Sequence, residues 1–237
     1  MMKDTILEVK NLGVTLDSQE ILRDISFSVK EGEALAVIGP NGAGKTVLFR
    51  ALLGLLPYKG EIRWKENIQI GYVPQKLPLD RSIPITLEEF FLLKSQEFWF
   101  PQKSFSDHIK HELELLGLTE GMKGKMLAEL STGQLQRAMI AWAMLNHPHV
   151  LLFDEPTAGI DVGFEETVYT IMRRLQKERG TTILLISHDL NIVYRYADQV
   201  LCLNKELVCQ GRPAEVLNKK ELSLLYGEVG FYHHLPK

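Results

Sequence analysis

Three features of the sequence predict an α/β fold with a mostly parallel sheet, an antiparallel β portion at the N-terminal end and an all-helical insertion. Short, continuously apolar runs at Leu35-Ala36-Val37-Ile38, Val150-Leu151-Leu152-Phe153 and Thr182 to Ile186 suit strands buried on both faces. Helical patterns of about a dozen residues separate such runs, as a sheet covered on both sides requires. The first thirty residues instead alternate apolar with polar, which reads as half-buried antiparallel strands.

Taken in order, Ile6-Leu7-Glu8-Val9 and Ile21 to Val29 form the N-terminal strands and hairpin. Glu31-Gly32-Glu33 turns the chain into the run beginning at Leu35. A Gly-rich segment follows, then a helical pattern from Thr46 to Leu55 that Leu56-Pro57 ends. Ile68 to Val73 reads as a strand stopped at Pro74. From about Pro84 to Glu129 the character changes: Glu88 to Phe100 and Phe105 to Leu116 are helical, with no comparable strand between them. Strands return at Val150, with a helix near Glu165 to Glu178 before Thr182. The tail from Gly211 carries two short helical pieces and ends near His233-His234 without clear periodicity.

The 237 residues fit one large domain, or a core with one insertion. Lys and Arg number 27 against 30 Asp and Glu, a net charge of -3. That disfavours a strongly basic nucleic-acid binder, and no nucleic-acid partner is expected. Two cysteines make no disulfide framework; Cys202 and Cys209 read as buried, reduced thiols in a strand pair. No leader is visible, because Met1-Met2-Lys3-Asp4 runs straight into strand alternation. The most apolar stretch, Ala138 to Phe153, is broken by Asn146-His147-Pro148-His149, so a soluble chain is expected.

Gly39-Pro40-Asn41-Gly42-Ala43-Gly44-Lys45-Thr46 matches the P-loop pattern, with a buried strand before it and a helix after it. The glycines let successive N–H groups curl inward toward phosphate oxygens, and the helix N-terminus adds its positive dipole end. Lys45 is expected on the β- and γ-phosphates and the Thr46 hydroxyl on Mg²⁺. A chance Gly-rich turn before a helix would not hold eight positions in register.

Val150 to Phe153 delivers Asp154-Glu155-Pro156-Thr157 to the C-terminal end of a strand, where open α/β sheets bind ligands. Asp154 can hold Mg²⁺, usually through water, while Glu155 orients or deprotonates an attacking water. Leu130-Ser131-Thr132-Gly133-Gln134 precedes an amphipathic helix with Leu135, Ala138, Met139, Trp142 and Leu145 on one face. Ser131 is a candidate N-cap, and the neighbouring N–H groups make a second anion site. One complete P-loop plus a second anion site suggests that another copy of the chain supplies the missing phosphate.

These segments, with Gln75 after Gly71-Tyr72-Val73-Pro74, then Ala158-Gly159-Ile160-Asp161 and His188, occur in the order of the ATP-binding subunits of ABC transporters. The resemblance runs from Ile6 to about Tyr226. It implies a P-loop NTPase core and a single ABC ATPase domain over 1–237. Within it, 1–84 would be the N-terminal β portion and P-loop core, 85–145 the helical signature subdomain, 146–210 the rest of the core and 211–237 a short helical tail. It also implies a head-to-tail dimer, of two identical chains or with a close paralogue. Each ATP would lie between Gly39, Asn41, Gly42, Ala43, Gly44, Lys45 and Thr46 of one subunit and Ser131, Gly133 and Gln134 of the other.

On that resemblance Gln75 senses Mg²⁺ and the attacking water, His188 contacts the γ-phosphate and Asp161 lies in a loop crossing the interface. Read alone, His188 would be an exposed loop histidine. Two positions depart from the pattern. Leu16 stands where an aromatic usually stacks on adenine, and Thr132 where glycine is commoner.

With no membrane span of its own, such an ATPase works through a separate permease, docked near Gln75 to Phe100, and a separate substrate-binding protein. Phe98-Trp99-Phe100 suits either that dock or the packing of the insertion. The segment Gly71 to Lys76, continuing to Pro84-Ile85-Thr86, and the short tail resemble importers of zinc, manganese or iron. Importers of siderophores, amino acids or lipids, or a soluble ABC ATPase of an assembly complex, are the alternatives. His233 and His234 are a poor metal site by themselves and read as a polar tail.

Overall fold

The alternation at the N-terminus forms two long antiparallel strands, β1 (Thr5–Leu16) and β2 (Gln19–Lys30), in a computed structural model of the chain. The structure describes residues 4–76, 83–94, 103–145, 147–156 and 162–231. Asp161, Phe98 to Phe100, His233 and His234 lie outside them.

The run at Leu35 becomes β3 (Ala34–Ile38), all five residues of which are buried. Helix α1 (Lys45–Leu52) stops before Leu55, where the expectation ended it. Gly54 takes a left-handed φ of 69° and its N–H bonds back to Ala51, so the chain turns there before Pro57 is reached. Strand β4 (Lys59–Trp64) was not apparent in the sequence; it pairs with β1 and completes a three-stranded sheet of order β2-β1-β4.

Strand β5 (Ile70–Val73) leads to α2 (Leu87–Leu92), which is much shorter than the pattern Glu88 to Phe100 suggests. Thr86 and Glu89 form a capping box that fixes where α2 starts, and residues 95–102 are not among those described. Then come α3 (Lys103–Leu115) and α4 (Thr132–Met144), so the described elements between β5 and residue 145 are helices and short turns. Strand β6 (Val150–Asp154), α5 (Val162–Arg179), β7 (Thr182–Ile186) and α6 (Leu190–Tyr196) follow. The chain closes with the antiparallel pair β8 (Gln199–Asn204) and β9 (Glu206–Gly211), then α7 (Pro213–Val216) and α8 (Lys219–Phe231).

The second sheet runs β5-β6-β7-β3-β8-β9, parallel except for β9. Successive residues of its strands point to opposite, covered faces, which is why they read as continuous apolar runs. Leu35, Val37, Leu184 and Ile186 face the antiparallel sheet and α1, whereas Ile183 and Leu185 pack with Tyr169 and Met172 of α5. Ala36 and Ile38 face Leu190 and Val193 of α6 and Leu222 and Leu225 of α8. Truncating a filled position such as Phe153, fully buried, costs about 3–5 kcal/mol.

One expectation is overturned. Cys202 and Cys209 do sit in a strand pair, but the β8–β9 register sets them directly opposite, with Cα atoms 4.8 Å apart, and their sulfurs are joined as a disulfide. Cys209 is only half-buried.

Candidate nucleotide site

The parallel order fixes the site before any side chain is considered. Gln75 follows β5, Asp154 ends β6 with Glu155 just after it, His188 follows β7 and the P-loop follows β3. The C-terminal ends of these four adjacent strands therefore share one edge of the sheet, where ligands of open α/β sheets bind.

At the P-loop, Gly44 is the N-cap of α1 in the left-handed conformation (φ 95°), and no side chain caps the helix. The N–H groups of the first turn are thus not taken by a cap, and an L side chain at 44 would be strained and would meet Leu22 at 2.5 Å. Lys45 is buried and donates to the carbonyls of Gly39 (2.8 Å) and Pro40 (3.0 Å). Burial pushes its ammonium pKa down, opposed by the nearby Glu155 and Asp154 carboxylates.

Asp154 is 1% exposed. Thr46 Oγ1 donates to its Oδ1 at 3.1 Å and the Tyr72 hydroxyl to its Oδ2 at 3.4 Å. Burial raises the Asp154 pKa despite these bonds, and burial likewise pushes Tyr72 up to about 12. Tyr72 was not among the candidates. It shares a face of β5 with Ile70, and its register partner is Leu152, two residues before Asp154.

Glu155 has a left-handed φ of 51°, a strained backbone for a residue with a side chain and a common mark of a functional position. Gln75 Nε2 donates to its Oε2 at 2.5 Å, and His188 Nε2 contacts its Oε1. Three segments far apart in sequence thus meet on one carboxylate. A cleft of about 390 Å³ opens there, lined by Gln75 and Glu155 together with Asn41, Gly42, Ala43, Gly44, Lys45 and Thr46. Ile21 also lines it, whereas Leu16 packs at the edge of the core beneath the antiparallel sheet. A larger cleft of about 660 Å³, near His147, His149 and Arg179, lies at the start of β6 and β7 and holds none of the predicted residues.

Ser131 is the N-cap of α4. Its hydroxyl accepts from Gln134 N at 3.2 Å, and Gln134 Oε1 accepts from Ser131 N at 3.0 Å, a capping box. Ser131 and Thr132 are exposed, Gly133 and Gln134 half-buried, and none of the four lines the cleft beside Lys45. The fold does not bring this group to the P-loop of its own chain.

The residues present fit a hard divalent cation such as Mg²⁺. Asp154 is a buried carboxylate whose described hydrogen bonds come from two hydroxyls, with Thr46 and Gln75 oxygens at the same edge.

Fold and site together define a P-loop nucleotide-binding core of the ATPase kind. The family model described as "ABC transporter" matches residues 22–158, more than half of the chain, and one for an AAA domain matches 126–193. The chain belongs to the ABC transporter family, as one of its ATP-hydrolysing cassettes. It is 40% identical over 235 residues to the zinc import ATP-binding protein ZnuC of Buchnera aphidicola, with 96% of this chain and 95% of that one covered. It is 38% identical to ZnuC of Cereibacter sphaeroides, over 97% of this chain and 94% of that protein. Among solved structures, an ABC transporter in an inward-facing conformation aligns with a TM-score of 0.82 at 26% identity, covering 94% of this chain and 89% of that one. The dimeric bacterial ABC transporter cassette MJ0796 aligns with a TM-score of 0.78 at 25% identity, over 88% and 99% of the two chains. No described helix is long and apolar enough to cross a membrane.

Proposed function

We infer that the chain hydrolyses ATP to drive import of a divalent metal, zinc foremost, through a separate membrane permease. The cargo is supported by its zinc-import relatives. The chemistry is supported by the convergence of Gln75 and His188 on Glu155 beside the P-loop.

On this reading the P-loop N–H groups and Lys45 hold the β- and γ-phosphates, Lys45 leaving the Gly39 and Pro40 carbonyls to do so. Thr46, Asp154 and Gln75 would hold Mg²⁺, which when bound offsets phosphate charge. Glu155 accepts a proton from the water that attacks the γ-phosphorus, as the bond to the β–γ bridging oxygen breaks and ADP leaves. Gln75 orients that water, and His188 steadies the γ-phosphate and the Glu155 carboxylate. Ser131, Gly133 and Gln134 close over the γ-phosphate of a second subunit, whose own set closes over the first, and Asp161 lies across that junction. Leu16 and Ile21 cover the base.

The same reading keeps the division into an N-terminal portion (1–84), a helical part (85–145), the rest of the core (146–210) and a tail (211–237). Ile83 and Leu93, both more than half exposed, belong to the dock for a short helix of the permease. An external binding protein delivers the metal, and the cassette sits on the inner membrane face through the permease.

The test is metal uptake by vesicles carrying this chain with the permease that co-purifies with it. Glu155→Gln is expected to keep ATP binding while hydrolysis and uptake both fall by about 10²-fold or more. Normal turnover in that variant would overturn the role of Glu155. Turnover with no movement of zinc or manganese would overturn the cargo and leave the ATPase.

A further inference from the structure

The far end of the helix that begins at Ser131 is anchored by a cation that does not line the cleft beside Lys45. Lys94 follows Leu93, the C-cap of α2, and its Nζ donates to the carbonyls of Trp142 (2.7 Å) and Ala143 (3.4 Å) in the last turn of α4. The last carbonyls of a helix lack partners within it and carry its negative dipole end, so an ammonium placed there meets both needs. The same Nζ stands 4.4 Å from the centroid of the Trp142 ring. Phe90, one turn before Lys94, stacks on that ring at 5.5 Å, and Trp142 Nε1 donates to the Phe90 carbonyl at 3.1 Å. Two residues on one face of α2 thus grip one tryptophan of α4. Burial pushes the Lys94 pKa down to about 8, which still leaves the ammonium charged at neutral pH.

Strand β5 closes this joint from the other side. Gly71 lies so close under α4 that a Cβ there would stand 2.5 Å from the Ala143 oxygen and 2.6 Å from Leu151 Cδ2. A larger residue would push the helix end away. The Ala143 carbonyl is therefore held between Lys94 and the strand that leads to Gln75. Helix α4 spans Thr132–Met144, a rod of about 20 Å. A tilt of about 5° at the joint would carry Ser131 through about 2 Å. Misplacement of about 1 Å can cost about 10²-fold in rate where groups must meet a reacting centre.

We propose that Lys94 is a positioning residue for the second half of the site: its ammonium fixes the end of α4 against α2 and β5, and so sets where Ser131 meets a nucleotide held by another subunit. The proposal rests on the reading of Ser131, Gly133 and Gln134 as closing over the γ-phosphate of a second subunit. Lys94 touches no phosphate on this account, so nucleotide binding by the single chain does not depend on it.

The experiment is sedimentation of the Glu155→Gln chain with ATP and Mg²⁺, conditions in which the closed dimer should accumulate, beside ADP titration calorimetry. Lys94→Met keeps the aliphatic stem and removes the ammonium. Added to Glu155→Gln, it is expected to raise the dimer Kd by about three- to tenfold. The ADP Kd should stay within about twofold of the parent, because the P-loop is remote from the change. Lys94→Arg, which returns a cation and its donors to the Trp142 ring, should bring the dimer Kd back toward the parent. An unchanged dimer Kd in Lys94→Met overturns the proposal, and so does failure of Lys94→Arg to recover it. An ADP Kd that rises as far as the dimer Kd also overturns it, since the defect would then lie in the core rather than in the placement of α4. If Glu155→Gln alone forms no dimer with ATP, the two-subunit reading itself falls, a result distinct from an effect missing at Lys94.

Discussion

Two helix starts of this chain, those of α1 and α4, are built in opposite ways. At α1 the N-cap is a glycine without a side-chain oxygen, the following lysine is buried, and the segments after β5 and β6 close around it. At α4 the N-cap is an exposed serine that bonds its own helix through Gln134. The first start leaves its N–H groups without a side-chain cap and gathers Gln75 and Glu155 around them. The second satisfies part of itself and stands apart from the cleft beside Lys45. On the proposed reading the P-loop and the start of α4 are two halves of one site, of which the single chain assembles only the first.

The largest effect that would break this contrast is loss of the buried half. Lys45→Ala removes a charged donor to phosphate and should weaken ADP and ATP by about 10²-fold in a binding titration. Retained affinity would mean that the loop N–H groups alone carry the site. Ser131→Arg sharpens the contrast from the other side. It should leave ADP bound to the single subunit while hydrolysis falls by about tenfold or more, because a bulky charge would enter the partner's nucleotide. Normal turnover in that variant would make each subunit self-sufficient. The smallest effect concerns the base rather than the phosphates. Leu16→Phe should tighten ATP by about two- to tenfold if position 16 reaches the adenine face, and change nothing if Ile21 alone covers it.

Much of the P-loop was legible because its residues are contiguous. Gly39 to Thr46 is one unbroken pattern, and its strand-then-helix context is visible on either side. The continuous apolar runs at 35–38, 150–153 and 182–186 likewise match the buried parallel strands. What could not be read depends on register. Tyr72 reaches Asp154 only because Tyr72 pairs with Leu152, a match across 80 residues that no local pattern encodes. Strand β4 escaped notice because Lys59–Trp64 has no fully buried residue and so no apolar face to announce it. Helix α2 was overextended because aromatic spacing continued past the end that local bonding sets at Leu93. The cysteines were placed in the correct strand pair, yet their bond follows from a cross-strand match that spacing alone does not fix.

The left-handed backbone at Glu155 has a consequence for how this protein can evolve or be engineered. A side chain there costs about 1–2 kcal/mol relative to glycine, so Glu155→Gly would make a sturdier fold. The carboxylate that would abstract the proton would be gone. Selection for heat resistance alone would therefore drift toward a well-folded but silent cassette. On the proposed role of Glu155, stability and turnover pull on this one position in opposite directions, and a library screened only for soluble, folded protein would discard the activity first at residue 155.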